Sequence, residues 1–156
     1  MEWISILDLS DVDELMRTAE HFHDWYLAGF QYDPLARAEQ DNKNLARFIS
    51  ETDALNVVFR DDSKDKAGNW PELEIEFYDI ADMRYMNGTQ PDPFFECVLE
   101  DTPRGWVFAS GGPLTPEERE NPRTIDASFF VRAGQVKWRR LGGKLRVDDA
   151  RSLTGV

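Results

Sequence analysis

The sequence predicts an α+β domain, mostly antiparallel β-sheet in a sandwich or roll, with one packed N-terminal helix. Three observations predict it. Val12, Leu15, Met16, Ala19 and Phe22 recur at helical spacing near the start of the chain. Several later runs of strand length are rich in β-branched and aromatic residues. The polar or Pro/Gly-marked stretches between those runs show no helical period long enough for the crossovers a parallel sheet needs.

The helix is predicted over 11–22. Ser10 can cap its orphan amides, and Asp11, Asp13 and Glu14 sit at the positive end of its dipole. "WYLAGFQY" (25–32) and "ALNVVFRD" (54–61) follow as strands. "PELEIEFYDI" (71–80) is the clearest strand, because Leu73, Ile75 and Phe77 alternate with Glu72, Glu74 and Glu76. A period of two sends the apolar residues to the core and the carboxylates together to the solvent face. "DPFFECVLED" (92–101) and "GWVFASGG" (105–112) flank "TPR" and read as a hairpin. "TIDASFFVRAGQVKWRRLGG" (124–143) reads as another, turning at Ala133 and Gly134. "QYDPLARAEQDNKNLARFISE" (31–51) is compatible with a helix, and "DDSKDKAGNWP", "NGTQPDP" and "GGPLTPEERENP" read as loops.

At 156 residues, 41% hydrophobic and 31% charged, the chain predicts one folded domain spanning 1–156. Its start, "MEWISILDLSDVDEL", has no basic n-region, and no apolar run approaches the roughly 18 residues that span a bilayer. With Cys97 alone, no intramolecular disulfide can form. These features predict a cytoplasmic protein away from membranes. The formal charge of −12 opposes binding to nucleic acid and favours encounter with basic partners. The charge is polarised: residues 1–100 carry 23 acids and 8 bases, or −15, while 101–156 carry 7 acids and 10 bases, or +3. The seven bases from Arg132 to Arg151, with Trp138 among them, could suit nucleic acid, but Lys137 and Arg139 alternate with Val136 and Trp138 as in an ordinary strand.

Both histidines lie in "EHFHDWYLAGF" (20–30). Two apart on a strand they would share a face; on a helix they would lie about 200° apart. A metal site would need a carboxylate such as Asp24 as third ligand, so no metal or cofactor is expected. Asp61, Ser63, Asp65 and Glu72 fall at calcium-loop positions, but Lys66 stands where the sharp turn requires glycine. No nucleophile elbow occurs, and Cys97 with His23 has only residue identity to suggest a catalytic pair. Successive carboxylates of Glu72, Glu74 and Glu76 are about 7 Å apart along a strand, within glycosidase range, yet nothing in the pattern places them in a cleft.

Phe22-His23-Asp24 leading into an aromatic strand, then "LNVVFRD", "ELEIEFYDI" and "IDASFFVRAGQVKWR", resembles a set of small bacterial cytoplasmic proteins in which an FHD motif opens a β-rich domain. Some of these are identified as immunity proteins of polymorphic-toxin systems. The resemblance implies a binding protein that neutralises a basic toxin, with Phe22, His23 and Asp24 as marker positions of unknown role. The residues themselves predict an acidic docking face of Glu72, Glu74, Glu76, Asp61 and Asp62 for a basic protein. The alternative is a small enzyme or ligand-binding domain centred on His23 and Asp24. Oligomeric state is left open.

Overall fold

The computed structural model describes residues 2–33, 53–61, 71–85 and 94–141. In chain order the elements are β1 (Ile4–Ser5), α1 (Leu9–Thr18), a one-turn segment Glu20–Phe22, β2 (Trp25–Asp33), β3 (Ala54–Asp61), β4 (Glu72–Tyr85), β5 (Cys97–Thr102), β6 (Gly105–Ser110), α2 (Pro116–Glu120), a 3₁₀ turn (Pro122–Thr124) and β7 (Phe129–Leu141). The α+β class with mostly antiparallel sheet is as the sequence predicts. The region 31–51 read as compatible with a helix lies largely outside the described residues.

Asp8, two residues before the predicted cap, starts α1. Its carboxylate accepts from the Asp11 N–H at 3.1 Å, and the Asp11 carboxylate accepts from Asp8 and Leu7 N–H groups at 3.2 and 2.8 Å. This reciprocal capping box outcompetes Ser10, whose hydroxyl donates to Asp8 instead. The helix then stops at Thr18, four residues short of the predicted end. Glu20, His21 and Phe22 turn left-handed, with φ of 52°, 57° and 60°. The buried stripe survives the break: Val12, Leu15, Met16, Ala19 and Phe22 are all in the core.

The strands form one antiparallel sheet in the order β2-β3-β4-β7-β6-β5, with β1 beside β7. β7 is its spine, pairing with β4 along its full length and with β6 and β1 on the other side. The predicted hairpin at Ala133–Gly134 is therefore a single strand. Gly134 serves close approach, not reversal: a Cβ there would lie 2.8 Å from Asp79 Oδ2. Asp79 itself has φ 56°, and the β4 register slips between Ile80 and Asp82, so the glycine accommodates a bulge in its partner.

The sheet rolls. Phe59 of β3 and Phe108 of β6 are separated in the sheet order by β4 and β7, yet their rings are 5.4 Å apart. Phe22 lies between them, at 4.9 Å from Phe59 and 5.3 Å from Phe108, and 5.7 Å from Trp25. The two edges are drawn together by main-chain hydrogen bonds from Asp24 N–H to the Phe94 carbonyl (2.9 Å) and from Phe94 N–H to the Trp25 carbonyl (2.7 Å).

A second apolar cluster of Val107, Ala109, Ile125, Ala127 and Phe130 covers the outer side of β6 and the start of β7. Burial on both faces explains why "WVFA" and "FFV" are continuous where β4 alternates. The covering segment contains α2, which the sequence reading placed in a loop. Thr115 caps it, Glu118 reaches back to the Thr115 N–H, and Pro116 opens the first turn. Arg119 fastens it to the Glu100 carboxylate and the Asp101 carbonyl of β5.

Phe22→Ala is expected to destabilise the fold by about 3–5 kcal/mol, since it empties a fully enclosed site that several rings share. Urea denaturation with an unchanged m-value checks it, and a loss under about 1 kcal/mol would show that the seam does not rest on this ring.

Candidate functional site

Glu72, Glu74 and Glu76 share the face opposite Leu73, Ile75 and Phe77, as the pleat requires. The expectation that they stand free in solvent is corrected by the strands beside them. Register sets Arg60 of β3 opposite Glu72, and Arg139 and Lys137 of β7 opposite Glu74 and Glu76. Arg60 donates to Glu72 at 2.8 and 3.0 Å, and Glu72 is only 2% exposed. Arg139 Nε donates to Glu74 at 2.6 Å, and Lys137 Nζ is 3.5 Å from Glu76. The Asn56 amide donates to both Glu74 and Glu76, at 3.0 and 3.2 Å. Trp3 lies under Arg139 and Lys137, 4.3 and 4.8 Å from their charged ends, and completes the layer. Asp61 is paired with Trp25 across β2–β3 and is partly buried. Asp62 lies outside the described residues.

Phe22, His23 and Asp24 are brought together with Phe94 and Phe95. After the left-handed turn, His23 returns to extended backbone and Asp24 again takes positive φ, 65°. Each left-handed non-glycine residue costs about 1 kcal/mol, so four in five positions need compensation from packing and hydrogen bonds. Phe22 supplies the packing. His23 supplies a clamp: its Nδ1 is 2.7 Å from the Phe95 carbonyl, its Nε2 is 3.5 Å from Asp24 Oδ2, and its ring meets that of Phe95 edge-on at 5.7 Å. The Phe95 carbonyl first, and then the Asp24 charge, hold the His23 pKa above its ordinary value. Both ring nitrogens face partners, and the ring is exposed. His21 is also exposed. Among the described residues no three of His, Cys, Asp and Glu gather as a metal would need. Cys97 is fully buried, and burial pushes its thiol well above the ordinary value, so it is not poised as a nucleophile. Asp61 and Glu72, the ends of the calcium-loop pattern, lie in neighbouring strands; the interior of that pattern is outside the described residues.

The outer stripe of α1 presents Ser10, Asp13, Glu14 and Arg17, and the turn adds Glu20 and Asp24. Asp8, Asp11, Asp13, Glu14, Glu20 and Asp24 stand against Arg17 alone, six acids to one base. Asp13, Glu14 and Glu20 pair with no base among the described residues. Large apolar side chains stand open at both ends of this surface: Leu7 before the helix and Leu9 at its first position (79% and 69% exposed) and Phe95 beside the turn (82%). The helix separates the two ends by about 15 Å. Sequence reasoning missed this surface because it read Asp11, Asp13 and Glu14 only as charges at the positive end of the helix dipole; in the structure Asp11 joins Asp8 in the capping box, and Asp13 and Glu14 stand exposed. No helix among the described residues is long and apolar enough to cross a membrane. Comparison with protein-family models, with curated proteins and with solved structures finds no match for this chain.

Glu74→Arg sets two guanidinium groups face to face and is expected to cost about 1–3 kcal/mol, most of which Glu74→Arg with Arg139→Glu restores. A double-mutant cycle in urea measures the coupling, and additive losses would show the pair to be independent. For His23, the folded pKa lies above the ordinary 6.5. Its contribution is therefore fully present below about pH 6.5 and is lost as pH rises through the folded value. The stability difference between the wild type and His23→Gln should be largest at about pH 5.5 and shrink toward about pH 9. Thermal unfolding across that range checks the sign.

Proposed function

We propose that this chain is a protein-recognition domain for a basic polypeptide, of the toxin-neutralising kind, and that it docks through the outer stripe of α1 and the Glu20–Asp24 turn. One observation carries the reading. The sheet carboxylates are consumed by Arg60, Lys137 and Arg139, whereas Asp13, Glu14 and Glu20 form no ion pair with a Lys or Arg among the described residues and are flanked by exposed Leu7, Leu9 and Phe95. Unneutralised charge beside exposed apolar side chains is what a steered protein interface uses: the field speeds encounter, and the apolar anchors hold the complex. A net charge of −12 extends that field beyond the patch. The clamp of His23 on Phe95 fits the same task, because it fixes an exposed aromatic ring in position before a partner arrives.

Affinity capture from cells that express this chain, using wild type and Asp13→Lys/Glu14→Lys/Glu20→Lys, tests the reading. The wild type should retain a basic polypeptide whose association rate falls steeply with salt. The triple variant should bind it at least tenfold more slowly with a flatter salt dependence, and co-expression of wild type should relieve any toxicity of that partner. A partner bound equally by both proteins, or one that is acidic, would remove α1 from the interface.

A further inference from the structure

A cleft of 420 Å³ opens between the β5–β6 turn, β4, β7 and the segment after α2. Its volume falls in the range of small-ligand sites. Asp82, Arg104, Glu120, Asn121, Arg123 and Arg132 line it. We propose that it binds a small oxyanion, a phosphate or carboxylate group carried on a small polar molecule.

The three guanidinium groups are not equivalent. Arg132 is committed: its Nε and Nη2 donate to Asp82 Oδ2 at 3.0 and 2.5 Å, and its Nη1 donates to the Arg104 carbonyl at 3.2 Å. That fork ties β7 to β4 and to the β5–β6 turn, and so fixes the floor. Among the described residues the Arg104 side chain is held through Nε alone, which donates to the Glu120 carbonyl at 3.3 Å, so its Nη groups are left to a ligand. Arg123 makes no hydrogen bond or ion pair among the described residues. It leaves the chain next to buried Pro122, whose ring anchors the start of the 3₁₀ turn. Two guanidinium groups on different elements, without a carboxylate partner and facing one cleft, match the planar oxygens of phosphate or carboxylate. The Glu120 carboxylate and the Asn121 amide stand at the same rim and would accept from a hydroxyl or ammonium on the rest of the molecule. A long polyanion is disfavoured by the net charge of −12, whereas a small ion meets chiefly the local arginines. None of these residues belongs to the docking surface proposed above.

Arginine Nε–Hε resonances of the full ¹⁵N-labelled chain test the site. Inorganic phosphate, phosphoserine and succinate are titrated separately against sodium chloride at matched ionic strength. Saturable shifts are expected at Arg104 and Arg123, with half-saturation at or below about 1 mM. Arg140, roughly 26 Å from Arg132 along β7, should not move. A response to phosphate and phosphoserine assigns a phosphate ligand; one to succinate alone assigns a carboxylate. Arg104→Gln and Arg123→Gln should each weaken binding at least tenfold, and Arg140→Gln should leave it unchanged. Shifts that never saturate, that chloride reproduces, or that survive both substitutions would overturn the proposal. Both arginines are exposed, so the variants should keep the wild-type Tm; if either does not, the wild-type titration decides alone.

Discussion

The burial of Phe22 governs the architecture. A helix that carried its apolar stripe straight through to residue 22 would point that ring along the helix face, away from the seam between β3 and β6. Breaking the helix after Thr18 and reversing the backbone hand lets one side chain touch Trp25, Phe59 and Phe108 together. The left-handed residues are locally unfavourable, so the turn exists only because the rolled sheet rewards the ring it delivers. Roll and turn are thus mutually dependent. The sheet edges meet through Asp24, Trp25 and Phe94, and Phe22 is seated against Trp25 at that seam.

The seam also accounts for the histidine that follows. His23 lies on the outer side of the turn, where its Nδ1 can reach the Phe95 carbonyl while the backbone of Asp24 and Trp25 bonds to Phe94. Main chain and imidazole therefore fasten successive residues of the segment that leads into β5, the main chain Phe94 and the imidazole Phe95. A Phe-His-Asp sequence of this kind is intelligible as a closure device: the first residue fills the core, the second bonds across the seam, and the third bends the chain into β2 while its charge favours the protonated ring.

How much of this was legible in the sequence depends on whether the cause was local. β3 and β4 are visible because alternation, strand length and turn residues all lie within one window, and the observed β3 coincides with "ALNVVFRD". The helix stripe is visible for the same reason. β7 was misread because a glycine after Ala133 looks like a turn, while its actual demand comes from Asp79 on another strand. The cap was misplaced because Ser10 is a good local candidate, and only the reciprocal bond with Asp11 makes Asp8 better. Here a signal did exist, since Asp8 and Asp11 stand three apart; Thr115 and Glu118 carry the same signature in α2. The fate of Glu72, Glu74 and Glu76 was half legible. Their common face follows from the period of two, but their neutralisation follows from a register with Arg60, Lys137 and Arg139 that depends on which strands become neighbours.

That register changes what the polarised sequence means. With −15 in the first hundred residues and +3 in the remainder, a uniform reading would give one acidic and one basic half. Instead the sheet interleaves them: β4 gives acids, β7 gives bases, and the face between them cancels most of its own charge. What remains is sorted by whether an element has a complementary neighbour. Among the described residues the outer stripe of α1 is exposed, so its carboxylates keep their field. Arg104 and Arg123 flank a cleft in which Arg132 takes the Asp82 carboxylate, and neither forms an ion pair among the described residues, so they keep theirs. Charge that the fold does not use internally is the charge available for recognition, and by that criterion this chain offers an acidic surface suited to a macromolecule and a basic cleft suited to a small anion.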